Sequence, residues 1–285
     1  MLGAEIIGCD AVQLYRGLDV ATGKPTPGQR AIVPHHLVDL VDPLEDMTLA
    51  DYVRAAERAI VEITGRKRVA LIVGGTGLYL RGLLRGIIPA PPRDAALRQR
   101  LRTMAARFGA ARLHRWLRAL DPPSAERLPR GDVQRIIRAI EIALSGQGTW
   151  SERLMLEGTW RQGVERFDSL KIGLDMDDHL LEPRLRDRVT AFFAAGLVGE
   201  VQALLDRGVR REANAFKAIG YREVLSALDG EGDLAGTGEE VFRNTLRYVK
   251  RQRTWFRKEP GVVWLDAALG PSALSRRITE LWNER

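Results

Sequence analysis

Two short apolar segments, each followed by a polar or glycine-rich segment, are the feature that most constrains the fold of this chain. Ile6 and Ile7 precede the run CDAVQLYRG (9–17), and the run VALIV (69–73) precedes GGTGLY (74–79). A short apolar run that ends in such a loop is typical of a buried parallel strand. Open α/β sheets bind their ligands at the carboxyl ends of their strands, so both loops are candidate parts of one site.

Strands and helices alternate over much of the rest of the chain. Two further short apolar runs, 170–174 and 262–265, are strand candidates, and we expect the first of them to return to the sheet of 69–73. This alternation predicts a parallel sheet with helices on its faces, which is an α/β fold. Apolar residues at helical spacing predict helices over 51–63, 78–84, 180–195, 198–207, 220–228, 238–258 and 271–283.

The middle of the chain has a different character. Residues 93–146 are rich in arginine and alanine, have helical periodicity and contain no strand candidate, while 147–168 is poorly patterned and predicts a loop. Pro89, Pro91 and Pro92 break the preceding helical pattern and mark a boundary. The predicted divisions are an α/β core over 1–90 and 166–285 and an all-helical insertion over 91–165.

Composition limits the possible partners and surroundings. The net charge is +7 and the pI is about 9.9, which favours an anionic partner such as nucleic acid. No apolar run approaches the roughly 18 residues of a membrane span, and no signal peptide is visible. The single cysteine, Cys9, excludes an internal disulfide. We therefore expect a cytoplasmic protein that does not bind a membrane.

The chain resembles the bacterial form of the tRNA dimethylallyltransferase family along nearly its whole length. The resemblance implies a P-loop-kinase-like parallel sheet flanked by helices, with an all-helical insertion. It also implies transfer of a dimethylallyl group from dimethylallyl diphosphate to N6 of the adenosine 3′-adjacent to the anticodon in tRNA. The motifs, in the family's order, are CDAVQLYRGLDVATGKP (9–25), PHHLVDLVDP (34–43), LIVGGTGLYLRGLL (71–84), DVQRIIRAIEI (132–142), RLRDRVTAFFAAGLVGEVQALL (184–205), AIGYRE (218–223) and TLRYVKRQRTWFRK (245–258).

Asp10 and Thr76 match the family's catalytic positions. An exocyclic adenine amine is a poor nucleophile, so its alkylation needs a base and stabilisation of the departing diphosphate. The resemblance implies that Asp10 is this base and that Thr76 lies near the leaving group. Considered without the resemblance, Asp10 is equally suited to capping the turn that follows it. A threonine in a glycine turn, such as Thr76, is more often structural than catalytic.

The resemblance also implies contacts with tRNA, through the anticodon stem-loop. It assigns catalysis to the α/β core over 1–90 and 166–285 and tRNA binding to the helical insertion over 91–165. Gln13 is expected to pair with a base through both ends of its amide, and the family usually has serine at the position of Ala11. Three basic residues, Arg222, Lys250 and Arg251, are candidates for binding diphosphate or phosphate. The positions implied to contact tRNA are Asp10, Ala11, Val12, Gln13, Arg98, Gln134, Arg135, Ile136, Ile137 and Arg138.

Periodicity within 132–144 predicts the two faces of the helix that carries several of these residues. Gln134, Arg138 and Glu141 are predicted on its outer face. A solvated role on a basic surface remains open for Arg98 and for the basic residues of 242–258. The residues predicted to face inward are Val133, Ile136, Ile137, Ile140 and Leu144.

Mg²⁺ bound to the diphosphate is the cofactor that the resemblance implies, and no protein-made metal site is expected because His35 and His36 have no partners at zinc spacing. We expect a monomer. Family members begin with a G-x-x-x-x-G-K-[ST] loop, which this sequence lacks. Two alternatives therefore stay open: an RNA-binding remnant that transfers nothing, and a small-molecule kinase, which would also need a phosphate-binding loop.

Overall fold

The computed structural model describes residues 2–156 and 164–285. The chain forms two compact units, Met1–Leu84 together with Phe167–Arg285, and Arg85–Arg166. The boundaries between the units thus fall after residues 84 and 166. The boundaries predicted from the sequence were after residues 90 and 165.

The first unit begins with three parallel strands. The central strand β1 (Glu5–Gly8) pairs with β2 (His35–His36) on one side and with β3 (Ala70–Val73) on the other. Ile7 lies opposite Ile72 in the register of β1 and β3. The two apolar runs identified in the sequence are therefore neighbouring parallel strands, and their carboxyl ends meet at one edge. Strand β2 was not among the strands predicted from the sequence.

Three helices belong to this part of the chain: α1 (Pro27–Ile32), α2 (Leu49–Gly65) and α3 (Gly77–Arg85). Helix α2 starts with a capping box, in which Thr48 accepts from the Asp51 N–H and the Asp51 carboxylate accepts from the Thr48 N–H. Its buried face includes Tyr52, whose ring stacks on Tyr79 of α3 with centroids 4.1 Å apart.

The second unit contains helices only, as far as its described residues show. They are α4 (Ala95–Phe108), α5 (Ala110–Leu120), α6 (Pro122–Arg127), α7 (Val133–Leu144) and α8 (Trp150–Leu156). Leu101, Leu113, Leu117 and Ile136 are fully or almost fully buried in its core. Helix α8 lies where the sequence analysis predicted a loop, and the rest of that predicted loop includes residues 157–163, which are outside the described part.

Helix α7 has the predicted buried face in part. Ile136, Ile137 and Ile140 are buried, as predicted. The prediction was wrong for Leu144, which is exposed at the last turn, and for Glu141, which is almost fully buried. Glu141 tolerates burial because guanidinium groups surround its carboxylate, a compensation that a count of apolar residues does not detect.

Two further strands lie in the first unit. The strands β4 (Lys171–Asp175) and β5 (Val262–Asp266) pair with each other in parallel. The prediction that β4 returns to the sheet of β1 and β3 was wrong: among the described residues, β3 pairs with β1 alone and β4 with β5 alone. Alternation of strands and helices predicts parallel strands, but it does not determine which strand edges pair.

The remaining helices follow β4 in the chain. They are α9 (Asp178–Ala194), α10 (Leu197–Asp206), α11 (Tyr221–Leu228), α12 (Leu234–Phe256) and α13 (Gly270–Asn283). All the helices predicted in the first unit are confirmed, with ends within four residues of the expected positions. Within the described ranges no single helix has the length and apolarity to cross a membrane, and only α9 and α10, bent at 52°, pass that test jointly.

One buried cluster joins the segment after β1 to the C-terminal helices. Tyr15 and Leu18 pack with Val201 of α10 and Tyr221 of α11. Glu200 strengthens this junction, because its carboxylate accepts from the Asp19 N–H at 3.0 Å and from the Tyr221 hydroxyl. The chain that leaves the carboxyl end of β1 is thereby held in place.

Helix α12 contacts the carboxyl ends of both sheets through two consecutive side chains. Gln252 donates from Nε2 to the Gly75 carbonyl just after β3 (3.1 Å), and Arg253 donates from Nε to Asp175 at the end of β4 (2.8 Å). The ends of β3 and β4 are therefore both within reach of a single turn of this helix.

Candidate active site

Asp10 occupies the turn that follows β1, with only part of its surface buried. Its Oδ1 accepts hydrogen bonds from the backbone N–H groups of Val12 (2.7 Å) and Gln13 (3.2 Å), which makes an Asx turn. Its Oδ2 takes part in none of the hydrogen bonds found among the described residues. One carboxylate oxygen thus holds the turn, while the other can accept a proton or a hydrogen bond.

Thr76 lies beside Asp10 because β1 and β3 end together. The Cys9 N–H bonds to the Val73 carbonyl at 2.7 Å, and the Thr76 N–H bonds to the Cys9 carbonyl at 3.1 Å. The Thr76 Oγ1 then accepts from the Ala11 N–H at 3.0 Å. Since Oγ1 acts here as an acceptor, its own hydrogen remains available for donation.

The Thr76 turn also starts helix α3. The N–H groups of Tyr79 and Leu80 donate to the Thr76 carbonyl at 2.9 and 3.1 Å. Thr76 therefore stands at the amino end of a nine-residue helix, where the helix dipole favours negative charge. A hydroxyl donor at the amino end of a helix can stabilise an anionic leaving group, and a neighbouring carboxylate can accept a proton from the nucleophile in the same reaction.

Two residues of α12, Tyr248 and Gln252, complete this region, and neither was predicted from the sequence. Burial raises the pKa of Tyr248, and the nearby Asp10 carboxylate adds to this effect, so the hydroxyl keeps its proton at neutral pH. Gln252 packs so closely on Gly75 that a side chain there would collide with it. The four-residue spacing of Tyr248 and Gln252, which places both on one helix face, is the signal that was available.

Gln13 is held by the loop that follows it. Its Nε2 donates to the carbonyls of Thr22 and Gly23, both at 3.1 Å. Both amide hydrogens are therefore engaged, and only Oε1 is free to contact a base in this arrangement. Ala11 and Val12 contribute backbone N–H groups to the Thr76 and Asp10 contacts.

The three candidate phosphate ligands lie on α11 and α12 with different surroundings. Lys250 and Arg251 are exposed, and the Arg251 guanidinium lies 5.7 Å from the centre of the Tyr248 ring. Arg222 is half-exposed and forms an ion pair with the buried Glu223. Part of the charge of Arg222 is thus already compensated, so Lys250 and Arg251 are the freer cations.

The predicted tRNA contacts of the second unit divide into exposed and buried groups. Gln134 and Arg135 are exposed in the first turn of α7, where Arg135 pairs with the N-cap residue Asp132. Ile136 and Ile137 are 0% and 3% exposed, so their side chains belong to the core. Arg98 and Arg138 are less exposed than Gln134 and Arg135, because both bind the buried Glu141 carboxylate.

The donor set at this site is poor in metal ligands. Within residues 2–156 and 164–285, no group of three or more His, Cys, Asp or Glu side chains is arranged to hold a metal ion. Asp10 has one engaged oxygen, and the Thr76 oxygen already accepts a hydrogen bond. The described residues at this site do not form a magnesium site by themselves.

Comparison with known proteins identifies the family of the chain. The sequence model of the IPP transferase family matches residues 13–259. The tRNA dimethylallyltransferase of Geobacter sulfurreducens is 43% identical over 264 residues, which cover 93% of this chain and 84% of that protein. The tRNA dimethylallyltransferase of Anaeromyxobacter dehalogenans is 44% identical over 280 residues, covering 97% and 91% of the two chains.

A solved structure gives the same result at the level of the fold. The tRNA delta(2)-isopentenylpyrophosphate transferase from Staphylococcus epidermidis matches with a TM-score of 0.69 and 30% identity, over 99% of this chain and 91% of that one. The fold class is thus a P-loop-kinase-like α/β fold with a helical insertion. The chain belongs to the IPP transferase family.

Proposed function

We propose that this chain transfers a dimethylallyl group from dimethylallyl diphosphate to N6 of the adenosine 3′-adjacent to the anticodon in tRNA. The observation that carries the proposal is the position of Thr76, which is hydrogen-bonded to both chain neighbours of Asp10, Cys9 and Ala11, where β1 and β3 end. A carboxylate with one free oxygen and a hydroxyl with a free hydrogen stand side by side there. Two relatives named tRNA dimethylallyltransferase are 43% and 44% identical to the chain over the 264 and 280 residues that align.

Asp10 is the proposed general base. Its Oδ1 is fixed by two backbone N–H groups, so the side chain presents Oδ2 in one defined direction. In the reaction, Oδ2 removes a proton from the N6 amine as the nitrogen bonds to the allylic carbon. A positioned base of this kind contributes about 10²–10⁴-fold to a rate.

Thr76 and the amino end of α3 stabilise the leaving group in this proposal. As the N6–carbon bond forms, the carbon–oxygen bond to diphosphate breaks, and the oxygen leaves with the electron pair. The Thr76 hydroxyl donates a hydrogen bond to that oxygen, with the helix dipole adding to it. Lys250 and Arg251, both exposed on α12, supply positive charge. In this proposal the diphosphate arrives as its Mg²⁺ complex, so the ion belongs to the substrate.

The adenosine has to leave its stack to reach Asp10. Enzymes that modify a base extrude it at a cost of about a few kcal/mol, which is lowest in single-stranded regions such as an anticodon loop. The free Gln13 Oε1 is suited to accepting a hydrogen bond from the exocyclic amine of the extruded base, since that amine is a donor.

The test is label transfer from dimethylallyl diphosphate to unmodified tRNA in the presence of Mg²⁺. Asp10→Asn is the informative variant, because an amide oxygen still accepts the Val12 and Gln13 N–H groups but cannot act as a base. We expect this variant to retain the thermal stability of the parent and to lose at least about 100-fold in transfer rate. Asp187→Asn, at an exposed carboxylate on α9, is the control with the same change of charge.

Two outcomes would contradict the proposal. Transfer at the parent rate by the Asp10→Asn variant would remove Asp10 as the base and leave it a turn-forming residue. Tight tRNA binding without any transfer, under conditions in which a curated relative transfers label, would favour the RNA-binding remnant.

A further inference from the structure

The side-chain amide of Gln13 is fixed in one orientation by the loop that follows it in the chain. Its Nε2 lies 3.1 Å from the Thr22 carbonyl oxygen and 3.1 Å from that of Gly23, so each amide hydrogen has an acceptor. The reversed orientation would place Oε1 against two carbonyl oxygens, neither of which can donate a hydrogen. The Gln13 side chain therefore presents its acceptor oxygen away from this loop. Residues 18–23 are called the carbonyl loop below.

The backbone of the carbonyl loop is tied to α10 and α11 by two side chains. Glu200 of α10 accepts through Oε2 from the Asp19 N–H at 3.0 Å and from the Val20 N–H at 3.2 Å. The Tyr221 hydroxyl of α11 donates to the Glu200 carboxylate and accepts from the Ala21 N–H at 3.4 Å. Three consecutive N–H groups are thus held just before the two carbonyls that bind Gln13.

The contact between Glu200 and Tyr221 is specific to the carbonyl loop. Within the described ranges, the hydrogen bonds that the Glu200 carboxylate accepts all come from this loop and from Tyr221. Tyr221 is fully buried. Burial, followed by the hydrogen bond to Glu200, raises the pKa of the Tyr221 hydroxyl, so it remains a donor at neutral pH. The carboxylate and the hydroxyl together therefore hold the loop in one conformation.

We propose that Glu200 is a positioning residue for recognition of the base: it fixes the carbonyl loop, and this loop holds the Gln13 amide so that Oε1 alone faces the extruded base. The inference rests on the proposed function, in which Gln13 Oε1 accepts from the exocyclic amine. A purine with an amino group at C6 donates to Oε1, whereas a carbonyl oxygen at C6 places acceptor against acceptor. An amide free to turn would offer Nε2 to the second kind of purine and discriminate less.

Hydrogen exchange of the Gln13 side-chain amide tests the link without any substrate. NMR of the ¹⁵N-labelled full chain identifies the two amide hydrogens by the loss of their signals in Gln13→Ala. In Glu200→Gln, an acceptor oxygen that faces the carbonyl loop becomes an NH₂ group, and the exchange of these hydrogens is expected to be about tenfold faster. The control, Glu182→Gln, removes the same charge from an exposed carboxylate on α9 and is expected to leave the exchange unchanged.

A variant of the tyrosine extends the exchange measurement. Tyr221→Phe removes a single hydroxyl from the same contact and keeps the buried ring. It is expected to speed the exchange of the Gln13 amide hydrogens in the same direction as Glu200→Gln. Thermal melting of both variants shows whether the fold is retained, and the test does not depend on one of them alone.

A double-mutant cycle on label transfer tests whether Glu200 acts through Gln13. Gln13→Ala is expected to lower kcat/KM for tRNA about tenfold and Glu200→Gln by about three- to tenfold, with the KM for dimethylallyl diphosphate unchanged. Because both changes remove the same contact with the base, the double variant is expected to lose no more than Gln13→Ala alone. A residue that only stabilised the fold would lower the rate by the same factor in both backgrounds.

Binding of two anticodon stem-loop RNAs tests the selectivity itself. They differ in carrying adenosine or inosine 3′-adjacent to the anticodon, which changes the amino group at C6 to a carbonyl. The parent is expected to bind the adenosine RNA about tenfold more tightly. Glu200→Gln and Gln13→Ala are each expected to reduce this ratio, while Glu182→Gln retains it.

The possible outcomes separate this inference from the proposed function. Unchanged exchange of the Gln13 amide in Glu200→Gln, or losses that add in the double variant, would overturn the positioning role and leave transfer by the parent to stand. Faster exchange together with a reduced preference for the adenosine RNA, in a chain that transfers no label, would support the positioning role and contradict only the transfer activity.

Discussion

Arg98 on α4 donates from Nε to the buried Glu141 on α7, with 3.0 Å between the nitrogen and Oε1. Arg138, one turn before Glu141, donates to its other oxygen at 2.7 Å, and the Asp94 N–H donates to Oε1 at 2.7 Å. These bonds lower the pKa of Glu141 against the opposing effect of its burial. An arginine expected to contact tRNA is thus part of the internal support of its unit.

The main effect of replacing Arg98 is therefore expected to be a loss of stability. Arg98→Gln leaves a buried acceptor poorly satisfied, which costs on the order of 1–3 kcal/mol in the free energy of unfolding. Arg100→Gln, two residues further along the same helix and exposed, is expected to change it by less than about 0.5 kcal/mol. Urea denaturation measures both. Equal stabilities of the two variants would show that the Arg98–Glu141 pair does not support the unit.

The segment QRIIR (134–138) of α7 likewise contains both buried residues that support the fold and exposed residues that are free to contact tRNA. Ile136→Ala removes a fully buried side chain and is expected to cost about 2–5 kcal/mol in the free energy of unfolding. Gln134 is exposed, so Gln134→Ala is expected to change the free energy of unfolding by less than about 0.5 kcal/mol while weakening tRNA binding. The comparison needs urea denaturation together with a binding curve. A loss of tRNA affinity in Ile136→Ala without loss of stability would contradict the core position of Ile136.

How far the sequence predicts this protein depends on the range of the interaction involved. The strands at Ile6–Ile7 and 69–73 were predictable because apolar runs followed by glycine or polar residues are local signals. Their pairing put Asp10 beside Thr76, so the centre of the candidate site could be anticipated from two loops. The pairing of β4 with β5 depends on edges far apart in sequence and was not predictable in this way.

The residues that were missed or misplaced share a physical cause. Glu141 was assigned to the outer face by its helical spacing from Gln134 and Arg138, and part of the compensation for its burial comes from Arg98, 43 positions earlier. Tyr248 and Gln252 were overlooked because the basic residues around them gave the stronger signal. In each case the decisive contact joins two distant segments, which neither periodicity nor composition records.

Cys9 is expected to be chemically silent in the folded protein. It is 2% exposed, and burial raises the pKa of its thiol to about 11, so almost no reactive thiolate is present at neutral pH. A thiol reagent at pH 8 is expected to label the native chain only slowly and the urea-unfolded chain at once, with one thiol per chain. Rapid labelling of the native protein would show that the end of β1 opens readily.

Glu5 links acid stability to the start of the first sheet. Its carboxylate binds Arg66 through both oxygens, at 3.1 and 2.7 Å, and His36 on β2 at 2.8 Å. The hydrogen bonds from Arg66, followed by that from His36, lower the pKa of Glu5 from 4.5 to about 2. A carboxyl group with a lower pKa in the folded than in the unfolded state stabilises the fold at pH values above its unfolded pKa. This contribution is lost as the pH falls through the pKa of the folded state.

The free energy of unfolding, measured in urea at a series of pH values, tests this link. The parent is expected to exceed Glu5→Gln in stability at pH 7, and the difference is expected to shrink between about pH 4.5 and pH 2. Glu240→Gln, at an exposed carboxylate on α12, is expected to show no such change. A difference in the free energy of unfolding between the parent and Glu5→Gln that stays constant across this range would contradict the link. It would mean that folding takes up no proton at Glu5 and that this side chain supports β1 and β2 by packing alone.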